Sequence, residues 1–133
     1  MSQMMREIIL RTPLFPTEDV EKVRDAILNI FPDAEIDIVD DQLLGRAKSV
    51  ERFAEILRDN KIRDAARSQI LHGNQGGKAV FWLSKQVATV GKVNFTGKNV
   101  ILGSIEVQFI DDDMDSLVNS IAPSTREPRE NRI

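Results

Sequence analysis

The 133-residue chain contains no cysteine and no tyrosine, and only one tryptophan and one histidine. Without cysteine there is no disulfide, no thiol nucleophile and no cysteine-bound metal. The lone histidine, His72, has no second histidine or cysteine with which to share a metal, and no nucleophile beside it in sequence. No apolar run approaches the roughly 20 residues of a membrane helix. The start "MSQMMREIIL" lacks the small-residue cleavage pattern of a secretory signal. These absences lead us to expect a cytoplasmic protein with no membrane anchor, metal or cofactor.

A further absence is local. Between Asp64 and Glu106 there is no acidic residue, in a chain with 21 of them. Residues 1–42 carry 4 Lys/Arg and 10 Asp/Glu, a net charge of −6; residues 43–99 carry 11 and 4, net +7; residues 100–133 carry 3 and 7, net −4. A basic middle between acidic ends can present a positive patch despite the overall charge of −3. The alternative is that the three blocks neutralise one another on folding.

Hydrophobic content of 41% and charged content of 29% suit one globular domain with a real core. "REIILRTPLF" alternates as a strand with Ile8 and Leu10 on one face. In "FPTEDVEKVRDAILNIF", Val20, Val23, Ile27, Ile30 and Phe31 recur at helical spacing, Thr17 is a suitable N-cap, and Pro32 is a stop. "AEIDIV" and "LLGRAK" form a hairpin across "DDQ", and Gly45 suggests a bulge or close backbone approach. Ser49 caps a helix that buries Phe53, Ile56 and Leu57. "KIRDAARSQILH" buries Ile62, Ala65, Ala66 and Ile70, and Gly73 ends it. "KAVFWLS" is a strand apolar on both faces, Ala79, Phe81 and Leu83 opposing Val80 and Trp82. In the last strand Ile105, Val107 and Phe109 share a face, and "MDSLVNSIA" makes a short helix. The expected architecture is α+β: residues 1–123 form one domain, a mostly antiparallel sheet with helices packed on one face, and residues 124–133 form a flexible tail. The sheet's second face would hold Val39, Val80, Trp82 and Ile110. Either a second copy covers it, making a homodimer with Val80 and Trp82 at its interface, or the terminal helix does.

Few residues invite chemistry. In "LSKQVATVGKVNF", Ser84 can cap a short helix ended by Gly91, and the free N–H groups at such a start attract anions. Lys85 opposes the helix dipole there, which suits a phosphate better than it suits stability; a plain corner with solvated lysines is the alternative. Arg63 and Arg67 have Asp59 and Asp64 at ion-pairing spacing and read as a solvated face. "DDDMD" at 111–115 lacks calcium-loop spacing, and "GNQGG" matches no nucleotide motif. No acid/base pair can be argued from spacing, so no enzyme is expected. A basic stretch with Trp82 and Phe95 interleaved has the ingredients of RNA contact. A protein-interaction or assembly module using the exposed sheet face is the alternative function.

The pieces "PTED" with "AILNIFPDAEI", "KIRDAAR", and "LSKQ" followed by "GKVNF" resemble an uncharacterised archaeal protein family, and the resemblance covers nearly all of residues 4–110. That family is described as predicted RNA-binding, with a fold similar to the ribosomal protein that contacts 5S ribosomal RNA. The resemblance implies a ribosomal-protein-like fold and an RNA-binding role without catalysis. Its basic and polar positions match Arg46, Arg63, Arg67, Lys85, Gln86, Lys92 and Asn94 here. Ser84 stands where the family often has Asn, and Val87 and Thr89 where it has aromatic residues or alanine.

Overall fold

The computed structural model describes residues 6–97 and 103–123. These residues form seven strands and five helices in the order β1 (Glu7–Pro13), α1 (Val20–Ile30), β2 (Glu35–Val39), β3 (Gln42–Ala47), α2 (Glu51–Asp59), α3 (Arg63–His72), β4 (Asn74–Gln75), β5 (Lys78–Ser84), α4 (Lys85–Ala88), β6 (Phe95–Thr96), β7 (Ser104–Ile110) and α5 (Met114–Ile121). The strands form one sheet in the order β2-β3-β1-β7-β5-β4, with β6 also on β5. Every pairing is antiparallel. The expected α+β class is thus the observed one. The expected tail at residues 124–133 lies outside the described residues, as does part of the "TGKN" turn.

Strand alternation decides which face the helices cover. Ile8, Leu10, Leu43, Phe81, Leu83, Val107 and Phe109 are all nearly inaccessible, and they join Val23, Ile27, Phe53, Leu57, Ile70, Leu117 and Val118 of the helices in one core. Phe31, Phe53, Phe81 and Phe109 meet at its centre, with ring centroids 5.1 to 6.5 Å apart in stacked and edge-on pairs. Such pairs add about 0.5–1.5 kcal/mol each beyond their burial. The terminal helix α5 packs against α2 and α3 and sinks Met114, Leu117, Val118 and Ile121 into the same core. It therefore does not cover the second face.

Several local details differ from expectation. Asp19, not Thr17, caps α1, accepting the Glu21 N–H. Ser49 is not the cap of α2; Val50 holds that position, and Ser49 Oγ only accepts the Glu51 N–H at 3.3 Å. Gly45 makes no bulge, since β3 pairs in regular register through it. Ala65 is exposed and Ile62 half-buried, because α3 presents a narrow stripe, Ala66 and Ile70, to the core. Gly73 is the C-cap of α3, but its φ of −89° needs no glycine. The reason for glycine is proximity: a Cβ there would stand 2.3 Å from the Val80 carbonyl oxygen.

Candidate nucleic-acid interface

The sheet order turns the charge blocks of the sequence into a spatial gradient. β2, carrying Glu35 and Asp37 and followed by Asp40 and Asp41, forms one edge. The acid-free stretch folds into most of α3, then β4, β5, α4 and β6, which together form the other edge. α3 packs on both β5 and β6. Here Lys78 and Lys92 are exposed and Arg63 is partly exposed. Among the described residues none of the three makes an ion pair. Neutralisation between blocks does occur; among the described residues it takes Lys85, paired with Glu18, and Arg46, whose Nε lies 3.7 Å from Glu7.

The corner that follows β5 is built as the sequence suggests, with one inversion. Ser84 caps α4, its hydroxyl accepting the Val87 N–H at 3.4 Å; the helix ends at Ala88 with Thr89 as its C-cap, sooner than expected, and Gly91, at a positive φ of 76°, lies in the turn that follows. Gln86, Lys92 and Asn94 reach solvent. Lys85 does not. Its residue is 3% exposed. Its ammonium donates to the Pro13 carbonyl at 2.7 Å and to both Glu18 carboxylate oxygens at 3.0 and 3.2 Å. It also stands 4.9 Å from the centre of the Phe15 ring. Glu18 in turn accepts the Phe15 N–H at 2.9 Å. The expectation of a surface lysine holding a phosphate is therefore corrected: Lys85 ties α4 to the end of β1 and to the loop that enters α1. An ammonium buried this far from water needs a carboxylate and further acceptors, and it has them. Nothing near Lys85 in sequence pointed to Glu18, which lies 67 residues away.

The other expected RNA-contact residues divide. Arg67 is half-buried and donates from Nη1 to Asn119 Oδ1 at 2.7 Å and to the Ala122 carbonyl at 3.2 Å. It staples α3 to the C-terminal end of α5, where a cation suits the helix dipole. Asp59 contacts Arg58 at 3.4 Å, not Arg63 as its spacing suggested. Arg46 lies on β3, opposite Glu35 of β2 and far along the sheet from β5. Gln86, Lys92, Asn94 and Arg63 remain at the basic edge.

Val80 and Trp82 lie on the sheet face away from the helices, as expected. Register sets Trp82 beside Glu106, Arg11 and Leu44 in one cross-strand row, and Val80 beside Gln108, Ile9 and Arg46 in the next. Arg11 donates to Glu106 at 3.1 Å, and so does Gln108 at 2.7 Å. Ile9, Leu44, Val80, Trp82 and Ile110 are half-buried there, and among the described residues no helix packs over them. The acidic run at 111–113 has structural partners: Asp111 binds Arg6 at 3.0 Å, and Asp113 caps α5. Among the described residues no cluster of metal-ligating side chains forms, and no helix is long and apolar enough to cross a membrane.

An antiparallel sheet with helices on one side defines an α+β domain. The chain belongs to the family whose model, described as RNA binding, matches residues 7–109. It is 44% identical over 126 residues to a UPF0200/UPF0201 protein of Archaeoglobus fulgidus, covering 92% of this chain but only 39% of that longer relative. It is 38% identical over 128 residues to a UPF0201 protein of Methanocaldococcus jannaschii, covering 90% of this chain and 74% of the relative. The crystal structure of an uncharacterized UPF0201 protein superposes with a TM-score of 0.86 at 44% identity, covering 91% of this chain and 96% of the other.

Proposed function

We propose that the chain binds structured RNA, without catalysis, through the basic edge formed by α3, β5, α4 and β6. The supporting observation is the segregation of charge: the acid-free stretch folds as one contiguous edge, with Arg63, Lys78 and Lys92 unpaired among the described residues and the acidic strand at the far side of the sheet. Gln86 and Asn94 add polar groups beside Lys92. The proposed interface omits Lys85 and Arg46, whose cations are engaged elsewhere. The sequence resemblance implies a fold similar to the ribosomal protein that contacts 5S ribosomal RNA, so structured RNA is the form to test first. Each phosphate contact contributes roughly 0.7–0.9 to the slope of log affinity against log salt. Lys78→Ala and Lys92→Ala should each lower that slope by about one contact and weaken binding evenly across RNA sequences. An unchanged slope in the double variant, or no retention of a structured RNA by the wild type at low salt, would refute the reading.

A second reading rests on the open face. Ile9, Leu44, Val80, Trp82 and Ile110 form a half-buried apolar field between an acidic edge and a basic one. A second copy related by a two-fold axis parallel to the strands would lay β2 over β5, matching opposite charges. Light scattering tests this: a dimer that Trp82→Ala dissociates supports it, and a monomeric wild type ends it.

A further inference from the structure

The two edges of the sheet are treated differently. On one, the outer side of β5 is taken up in pieces by β4 at Lys78 and Ala79 and by β6 at Trp82 and Leu83. On the other, β2 pairs only with β3 among the described residues, which leave its five residues unpaired along the outer side. The two-residue turn Asp40–Asp41 joins Val39 to Gln42. Such a turn makes its closing pair exchange ladder bonds, and bonded pairs then alternate. Asp37 and Glu35 thus bond toward β3, and the N–H and C=O groups of Ile36 and Ile38 point outward. Among the described residues no backbone group accepts from or donates to them there. Ile38 and Val39 are 51% and 47% exposed, two of the four large apolar residues that stand open on the described surface.

We infer that β2 is an acceptor strand for an extended segment of a partner protein in which basic and apolar residues alternate. An exposed edge of this length recruits a strand through main-chain hydrogen bonds, and alternate side chains set the specificity. The register dictates those side chains. Glu35 and Asp37 lie on the open face and Ile36 and Ile38 on the helix face. An added strand would therefore place Lys or Arg beside the carboxylates and Val, Ile or Leu beside the isoleucines. Glu35, Asp37, Asp40 and Asp41 are exposed and make no ion pair among the described residues. The same charges disfavour a second copy at this edge, because antiparallel pairing of two β2 strands sets carboxylate against carboxylate. The inference is independent of the RNA reading, which uses the opposite edge.

The test uses the full chain and a capped seven-residue peptide alternating valine and lysine. Amide chemical-shift changes should centre on residues 34–41, and the amides of Ile36 and Ile38 should gain protection from hydrogen exchange. Replacing the peptide's lysines by glutamates should weaken binding at least tenfold. Ile38→Pro removes an outward N–H without touching the β2–β3 ladder, as proline is tolerated on edge strands, so it should abolish binding and leave the fold intact. Should that variant not fold, N-methylation of alternate peptide amides performs the same deletion from the other side. Equal binding of the glutamate peptide, shifts centred on another element, or undiminished binding by both deletions would overturn the proposal. So would a concentration-dependent doubling of mass that Ile38→Pro abolishes, which would assign the edge to a second copy.

Discussion

Replacing Lys85 separates a surface lysine from a buried clamp more sharply than any other change. Methionine keeps the apolar stem and deletes the charge. Lys85→Met removes the ammonium from the Pro13 carbonyl and from Glu18, whose side chain is 23% exposed. Breaking a fully buried pair by deleting one partner costs about 3–5 kcal/mol. Partial rehydration of Glu18 lowers that to about 2–3 kcal/mol here. In a chain of this size about 1 kcal/mol moves the melting temperature by about 4 °C, so the variant should melt about 8–12 °C lower. Glu18→Gln should destabilise as well. The Lys85→Met/Glu18→Gln double variant should lose less than the sum of the two, with a coupling of about 1–3 kcal/mol. Calorimetry of the four proteins measures this. The reasoning fails if Lys85→Met melts within about 2 °C of wild type, outside the range that a buried pair implies. A loss of one unit of RNA salt slope with the melting temperature unchanged would go further, restoring the surface-lysine reading.

Gly73→Ala places a methyl against the Val80 carbonyl, a backbone group that cannot swing aside; urea denaturation should show a loss of about 1–3 kcal/mol. Arg67→Ala deletes the staple to Asn119 and Ala122 and should cost about 1–2 kcal/mol in the same assay, without changing RNA salt slope. Ser84→Ala removes a cap whose bond is long, at 3.4 Å, so its cost should fall near the low end of the range for caps, about 0.5 kcal/mol by thermal melting.

Most elements were legible because their signals are local. Period-two alternation in "KAVFWLS" set Val80 and Trp82 on the second face, and period-3.6 recurrence in "VEKVRDAILNI" found the buried Val23, Ile27 and Ile30, although Val20 is only half-buried and the buried Ala26 was missed. Gly91 and Ser84 were read from the same kind of signal, since turn and cap chemistry involves only neighbours along the chain. Ile38 shows where such signals stop. It alternates like a core residue yet is half exposed, because β2 ended up at an edge beyond the cover of the helices.

The sequence by itself determined the α+β class, the placement of nearly every long element, and the existence of three charge blocks. It could not say which cation meets which carboxylate. Lys85 carried the same charge as Lys92 in a similar local setting, and only the fold brought Glu18 and Pro13 to one of them and left the other in solvent. Nor could it order the strands. Antiparallel pairing with β1 and β7 at the centre sent the acidic hairpin to one edge and the acid-free stretch to the other. The physical reason is range. Periodicity and capping depend on residues within a few positions, whereas ion pairing and sheet order depend on which distant segments the core brings within a few ångströms.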